Sequence, residues 1–519
     1  MTIVLVGFEI VMASLLFAAM LMIIGLRRKT RTAAAVICSF GILLGLIPVG
    51  LMVTIAGILR FVAGMRKSGF EWAIAMACVC IVSMSVLRIA AIRRDAAGVR
   101  RGVLWPLGRF ASFWAVVMAL IVMTVWNLDL QGQMEIQALR SEAGAIVLSV
   151  TRPPVDDSAN AAIVYARAEE RFKASTVERD EQVDELDAGA PEVAAYLIRQ
   201  QKALELVRTA ADMPECRVED DSINVSTILQ ELSRFRTAAN LLAIAARAEA
   251  ATGEVNLALA DCRRIYGVGH HANATPMLIS NLVAIGVDAI ASTTLAKVLP
   301  SVTNKDQLAR FAPLDPEALS RDLARDLQGE EALGMAAMCD MASGKAMGFN
   351  RVSGAAMWHM WLRDDVPVYR KNIQRVRGTL SQPFYQSAAE RKAIDDELAI
   401  NSSPFLRVLT PSLHRAVSRM VEVQALRSAV NVAVAATYFR LEHGEYPATP
   451  ELLIPGKLDA MPADPFDGKP LRMTKLADGS LVVYSIGVDG VDNGGDVEAK
   501  DDKHRPADVG FVLKMPSRR

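Results

Sequence analysis

The sequence predicts a mostly α protein that ends in an α+β module. Four membrane helices are expected first, then a helical array, then one long helix followed by a strand. Three observations carry this. Apolar runs crowd the first quarter of the chain, helical periodicity fills the middle, and a helix, turn and strand order runs from Thr410 to Val512. The expected domains are residues 1–130, a four-helix transmembrane region; 131–409, an extracytoplasmic helical domain; and 410–519, the α+β module.

Composition bounds the function classes. The 519 residues carry a formal net charge of +0, so no global field favours nucleic acid, and no nucleic-acid partner is expected. The hydrophobic share of 52% is high for a soluble chain, and its excess sits at the start.

The apolar runs cover about Ile3–Leu26, Ala33–Leu59, Trp72–Ala91 and Phe110–Trp126. Each is near or above the ~20 residues that a helix needs to cross hydrocarbon. The first has no basic leader and is long, so it reads as a retained span and not a cleaved signal. Trp114 and Trp126 suit interface anchors. Arg27, Arg28, Lys29 and Arg31 follow the first run, and Arg93, Arg94, Arg100 and Arg101 follow the third; the loop between the second and third holds chiefly Arg66 and Lys67. Positive loops stay inside, which places both termini and everything after about Asn127 on the far side of an inner membrane. The lipid bilayer is thus the first expected partner. Glu9 falls near the outer interface of the first run and reads as wet, with a functional intramembrane carboxylate the alternative.

Gln131–Val150 continues the last span as a stalk, and Thr151-Arg152-Pro153-Pro154 breaks it. From Asp156 the pattern is helical, with runs opening at Asn160-Ala161-Ala162 and at Pro191. The charged stretch Glu178–Asp187 between them reads as a solvated face. Ile228–Ala250 and Val255–Tyr266 flank Thr252-Gly253-Glu254, with Ala258 and Ala260 as small packing residues. That pair resembles a tetratricopeptide-like hairpin within an array of no clean period. Further helices are expected to start at Thr275-Pro276 and Asp315-Pro316. Trp358, Trp361, Tyr369, Phe384 and Tyr385 read as core packing, with glycan or partner binding the other use of such a cluster.

In the tail, Thr410 can cap and Pro411 suits the first helical position. Apolar residues then recur at helical spacing from Leu413 to Leu441, and Gly444 can take the left-handed stop. Glu445-Tyr446-Pro447, Asp464-Pro465-Phe466-Asp467-Gly468-Lys469-Pro470, a strand at Leu481–Ile486 and a Gly- and Asp-rich loop follow. This order resembles the periplasmic part of the major pseudopilin of type II secretion. The resemblance covers roughly the last fifth of the chain and implies a long helix on a small antiparallel sheet, with calcium as cofactor in the acidic loop. By position, it puts metal ligands at Asp489 and Asp508, with Asp501 and Asp502 between them. Lys500 and Lys503-His504-Arg505 depart from that mostly acidic tract. A hard cation in a flexible cage of oxygens suits such a loop, and a solvated loop is the alternative.

Asn160-Ala161-Ala162 with Tyr165, Pro214-Glu215-Cys216-Arg217, the Thr252-Gly253 hairpin and Gly329-Glu330-Glu331 resemble a group of bacterial multi-helix envelope proteins of unassigned activity. That likeness implies a shared architecture alone.

No catalytic constellation stands out. His270-His271 is read as a surface pair at a loop or helix end, and no His-Glu-x-x-His, Walker or Gly-x-Ser-x-Gly motif is present. Cys216, Cys262 and Cys339 read as separate buried thiols, with a Cys216–Cys262 pair the alternative. The expectation is a non-enzymatic envelope protein that scaffolds or docks, with secretion-system or other envelope proteins as partners. The alternatives are an envelope enzyme, hydrolase-like, with a site between array and tail, and a membrane sensor. Because the long helix starts far from any span, the chain is not expected to be a filament subunit.

Overall fold

A computed structural model describes residues 104–176, 183, 185–218, 225–309, 311–345, 351–401, 403, 406–407, 413–498 and 506–516. The chain divides into two compact units, Met1–Gln133 and Met134–Arg519, and the array and tail fall together in the second. The first three apolar runs lie outside the described residues. The fourth lies within helix α1, Leu104–Val150.

The described chain is mostly helical, with one three-stranded antiparallel sheet. From Met134 on, α1 is no free stalk. Ile136, Leu139, Ala143 and Val150 recur at helical spacing and are buried. Arg140 pairs with Asp340 at 2.7 Å, Glu142 with Arg370 at 2.6 Å, and Glu135 with Arg363 at 2.8 Å.

Helices α2 (Ala161–Ser175), α3 (Pro191–Arg199) and α4 (Gln201–Ala211) follow. Asn160 caps α2, accepting from Ala162 N at 3.1 Å. It also clasps a segment 57 positions on: its Oδ1 accepts from Arg217 N at 2.9 Å and its Nδ2 donates to Arg217 O at 2.8 Å. The side chain is buried, so these three bonds satisfy an amide that would otherwise be costly inside.

The centre is the trio α5 (Val225–Thr252), α6 (Val255–Ala272) and α7 (Leu278–Val298), packed pairwise. Gly253, at φ 91°, turns α5 into α6. Ala238, Ala239, Ala245 and Ala246 on α5 and Ala258 on α6 are buried, which lets the backbones approach; Ala260 is half-buried. Among the described residues one helix, Leu278–Ser301, is apolar and long enough to cross a membrane, but 56% of that window is buried inside the fold. It is a core helix.

Helix α8 (Leu323–Ala342) starts later than Asp315-Pro316 suggested, because Asp315 accepts from Glu317 N and forms a turn first. Gly329 of α8 rests on the turn before α7: a Cβ there would lie 1.6 Å from Pro276 O. A helix at Arg351–Met357 passes through a π-turn at Trp358–Leu362 into α9 (Arg363–Thr379), and Pro367 has no N–H to continue the ladder there. Helix α10 is Phe384–Asn401. Trp358, Tyr369 and Phe384 are buried, as core packing predicts, whereas Tyr385 is exposed.

The tail begins with α11, Leu413–His443. It packs on α7 and α10 and carries the sheet β1 (Arg472–Lys475), β2 (Leu481–Ser485) and β3 (Val509–Leu513), in the order β1-β2-β3. Register places Arg472 opposite Tyr484 and Val483 opposite Phe511. β2 is buried along its whole length, as a central strand covered on both faces must be.

Candidate functional site

A dense polar assembly with exposed neighbours lies where the sheet, the Asp464–Pro470 hairpin and the acidic loop meet. Helix α11 stops at Gly444, whose φ of 83° is the left-handed value and whose N–H bonds Arg440 O at 2.8 Å. Tyr446 is then buried beneath Arg440, whose guanidinium sits 5.6 Å from the ring centroid. The hairpin closes on itself, Asp464 N to Lys469 O at 2.6 Å and Gly468 N to Asp464 O at 2.8 Å. Gly468 has φ 74°, and a Cβ there would meet the Tyr385 ring at 2.9 Å.

Asp464 is fully buried and saturated. Its Oδ1 accepts from Phe466 N at 3.0 Å and Ser485 Oγ at 2.8 Å; its Oδ2 accepts from Ile486 N at 3.0 Å and an Arg472 amino group at 2.7 Å. One carboxylate therefore joins the hairpin to the end of β2. Arg472 also forks onto Asp467, at 2.5 Å to Oδ2 and 3.3 Å to Oδ1. Its guanidinium beside Asp467 holds that carboxyl below the usual carboxylate range. Arg472 Nε lies 3.7 Å from Asp492 Oδ2, and Tyr484 donates to Asp492 Oδ1 at 3.1 Å.

The acidic loop folds around one of its own members. Asp508 is 1% exposed, and its carboxylate accepts from Asn493 N at 3.3 Å, Gly495 N at 2.8 Å and Asp496 N at 3.0 Å. Gly494 and Gly495, at φ 72° and 86°, turn those N–H groups inward. Asp489 is exposed; its Oδ1 accepts from Val491 N at 3.0 Å and its Oδ2 from Asn493 Nδ2 at 3.4 Å. Asp501 and Asp502 lie outside the described residues. Among the described residues no three His, Cys, Asp or Glu side chains gather to hold a metal ion.

Further polar groups lie in the array. His271 is buried in the last turn of α6, between Tyr165 Oη at 3.0 Å and Met213 O at 3.0 Å, so the expected surface pair is half core. Burial pushes its imidazole down to about 4, so it is neutral and takes one proton role with each neighbour. Asp326 is fully buried, meeting Arg325 at 3.0 Å and Asn281 Nδ2 at 3.1 Å. Cys216, Cys262 and Cys339 are separate buried thiols, and burial pushes Cys339 up to about 11, which keeps it protonated. A cleft bounded by Tyr165, Glu169, Val207 and Arg234 has room for about one water.

Asp489 and Asp508 were singled out by the sequence; Asp464, Arg472 and Asn160 were not given these roles. Asp464 sits inside the Asp464–Pro470 motif, whose local signal is a turn. No family model, no curated protein and no solved structure matches this chain.

Proposed function

We propose that the chain is a membrane-anchored envelope protein with a non-enzymatic scaffolding role, its bulk on the extracytoplasmic side. In this reading the tail is a pseudopilin-like head reused as a docking module for a type II secretion-like apparatus. The observation that carries the reading is the placement of α11. In a filament subunit the corresponding helix would run free to the membrane; here it is embedded. Arg427 binds Asp288 of α7, Asn431 exchanges two bonds of 2.8 Å with the Leu314 backbone, and Arg440 donates to Val302 O at 2.8 Å. Such a helix holds the sheet and loop rigidly on the array, which suits presentation of a surface.

The test places photo-crosslinkers at the exposed loop residues Val488 and Val491 and, as control, at the exposed Ile198 of α3. Recovery of secretion components from the loop positions and not from Ile198 supports docking. Equal recovery from both, or none from the loop, rejects it. A carboxyl-terminal reporter active only in the cytosol should stay silent; activity would reject the topology.

A further inference from the structure

We infer that Arg472 is the resident cation of the tail, neutralising with its guanidinium the carboxylates that gather between the hairpin, β2 and the acidic loop, so that the order of this surface does not depend on calcium. Three carboxylates face this one side chain: Asp464 at 2.7 Å, Asp467 at 2.5 Å and Asp492 at 3.7 Å. A planar fork with five donors matches several carboxylates at once, which an ammonium does not. Asp464 is fully buried, so its charge requires a partner on the spot.

Of the carboxylates that the pseudopilin resemblance would assign to a metal, the two within the described residues, Asp489 and Asp508, face N–H donors. Asp508 receives three backbone N–H groups, two of them on one oxygen, and Asp489 receives one backbone and one amide donor. Calcium takes six to eight oxygens at about 2.3–2.6 Å. Each N–H takes one of a carboxylate's roughly four acceptor positions, so Asp508, buried and with three of them taken, has little left to offer an ion. Lys500 and Lys503-His504-Arg505 add further positive charge to the same tract. The residues described in this loop therefore do not fit a calcium cage, and a surface built on a covalently tethered cation is constitutive: it cannot be emptied by a fall in external calcium. The inference holds whether or not the loop docks on a secretion apparatus.

Thermal unfolding of the full-length protein in detergent micelles tests it, in excess chelator and in millimolar calcium. The unmodified protein should unfold at the same temperature in both. Arg472→Gln should lower the midpoint by several degrees in chelator, and calcium should restore part of the loss, because three carboxylates would then share a locus without a cation. Arg472→Lys keeps the charge; it should remain calcium-insensitive, and it serves if the glutamine variant does not fold. A midpoint that climbs with calcium in the unmodified protein overturns the inference. So does an Arg472→Gln variant as stable as its parent.

Discussion

Arg427 and Asp288, 139 positions apart, close a two-pronged ion pair in the core. Arg427 on α11 reaches Asp288 on α7 through both Nε and an amino group, the latter at 2.8 Å, and the two side chains are 5% and 0% exposed. The other amino group donates to Asp315 O at 3.0 Å, and the guanidinium sits 5.5 Å from the Tyr266 ring centroid. Removing the arginine alone strands a buried carboxylate. Arg427→Met should cost about 3–5 kcal/mol in urea unfolding of the whole protein, and Arg427→Met with Asp288→Leu should recover most of it, since an apolar pair has no charge to compensate.

Gly329 and Gly286 make a matched pair of alanine substitutions with opposite signs. At Gly329 a Cβ would overlap Pro276 O, a backbone atom that cannot swing aside. Gly329→Ala should therefore destabilise by about 3 kcal/mol or more as α8 lifts from the turn. At Gly286, on the exposed side of α7, nothing lies within 4 Å. Gly286→Ala should raise stability by about 0.5–1 kcal/mol, through the lost freedom of the unfolded chain. Paired melting curves decide both.

The pH dependence should run opposite to that of ordinary surface carboxylates. Burial pushes Asp326 up to about 7, and burial with the neighbouring Asp261 pushes Glu249 to about 7. Both folded values exceed the unfolded ones, so the folded protein holds these protons more tightly. Their contribution is greatest below about pH 4, declines as pH rises, and levels off above about 7. Asp326→Asn should remove one share of that slope and be the more stable protein above pH 7, by roughly 1 kcal/mol or more. Stability measured from pH 5 to 8 reads the difference; parallel curves would refute it.

Asn160→Ala tests the clasp between the start of α2 and Glu215-Cys216-Arg217. It removes a helix cap and both bonds to Arg217, and should cost about 2 kcal/mol. Amide exchange should accelerate at Ala162 and Arg217 while the centre of α5 stays protected.

What could be read from the sequence was whatever repeats locally. The helix from Leu413 to its glycine stop, the strand at Leu481–Ile486 and the α5–α6 hairpin all announce themselves by periodicity and turn chemistry, and the structure has each within a few residues. Long-range polar partnership leaves no such trace. Nothing in the spacing of Asn160 and Arg217, or of Asp288 and Arg427, marks them as partners. Asp508 shows the subtler difficulty: acidic residues among glycines suit a cation as well as a nest of N–H groups, and only the direction of the backbone tells which donors arrive. His271 reads as surface from its place at a helix end, because nothing local marks Tyr165 and the Met213 carbonyl, which close over it from distant parts of the chain.

The Arg427–Asp288 pair also sets a schedule for synthesis. Once α7 is made, Asp288 waits for its counter-charge until the ribosome has delivered Arg427, well over a hundred codons later, so this core contact closes late relative to the synthesis of α7. A nonsense mutation between the two codons would leave α7 with a carboxylate whose buried counter-charge is never made.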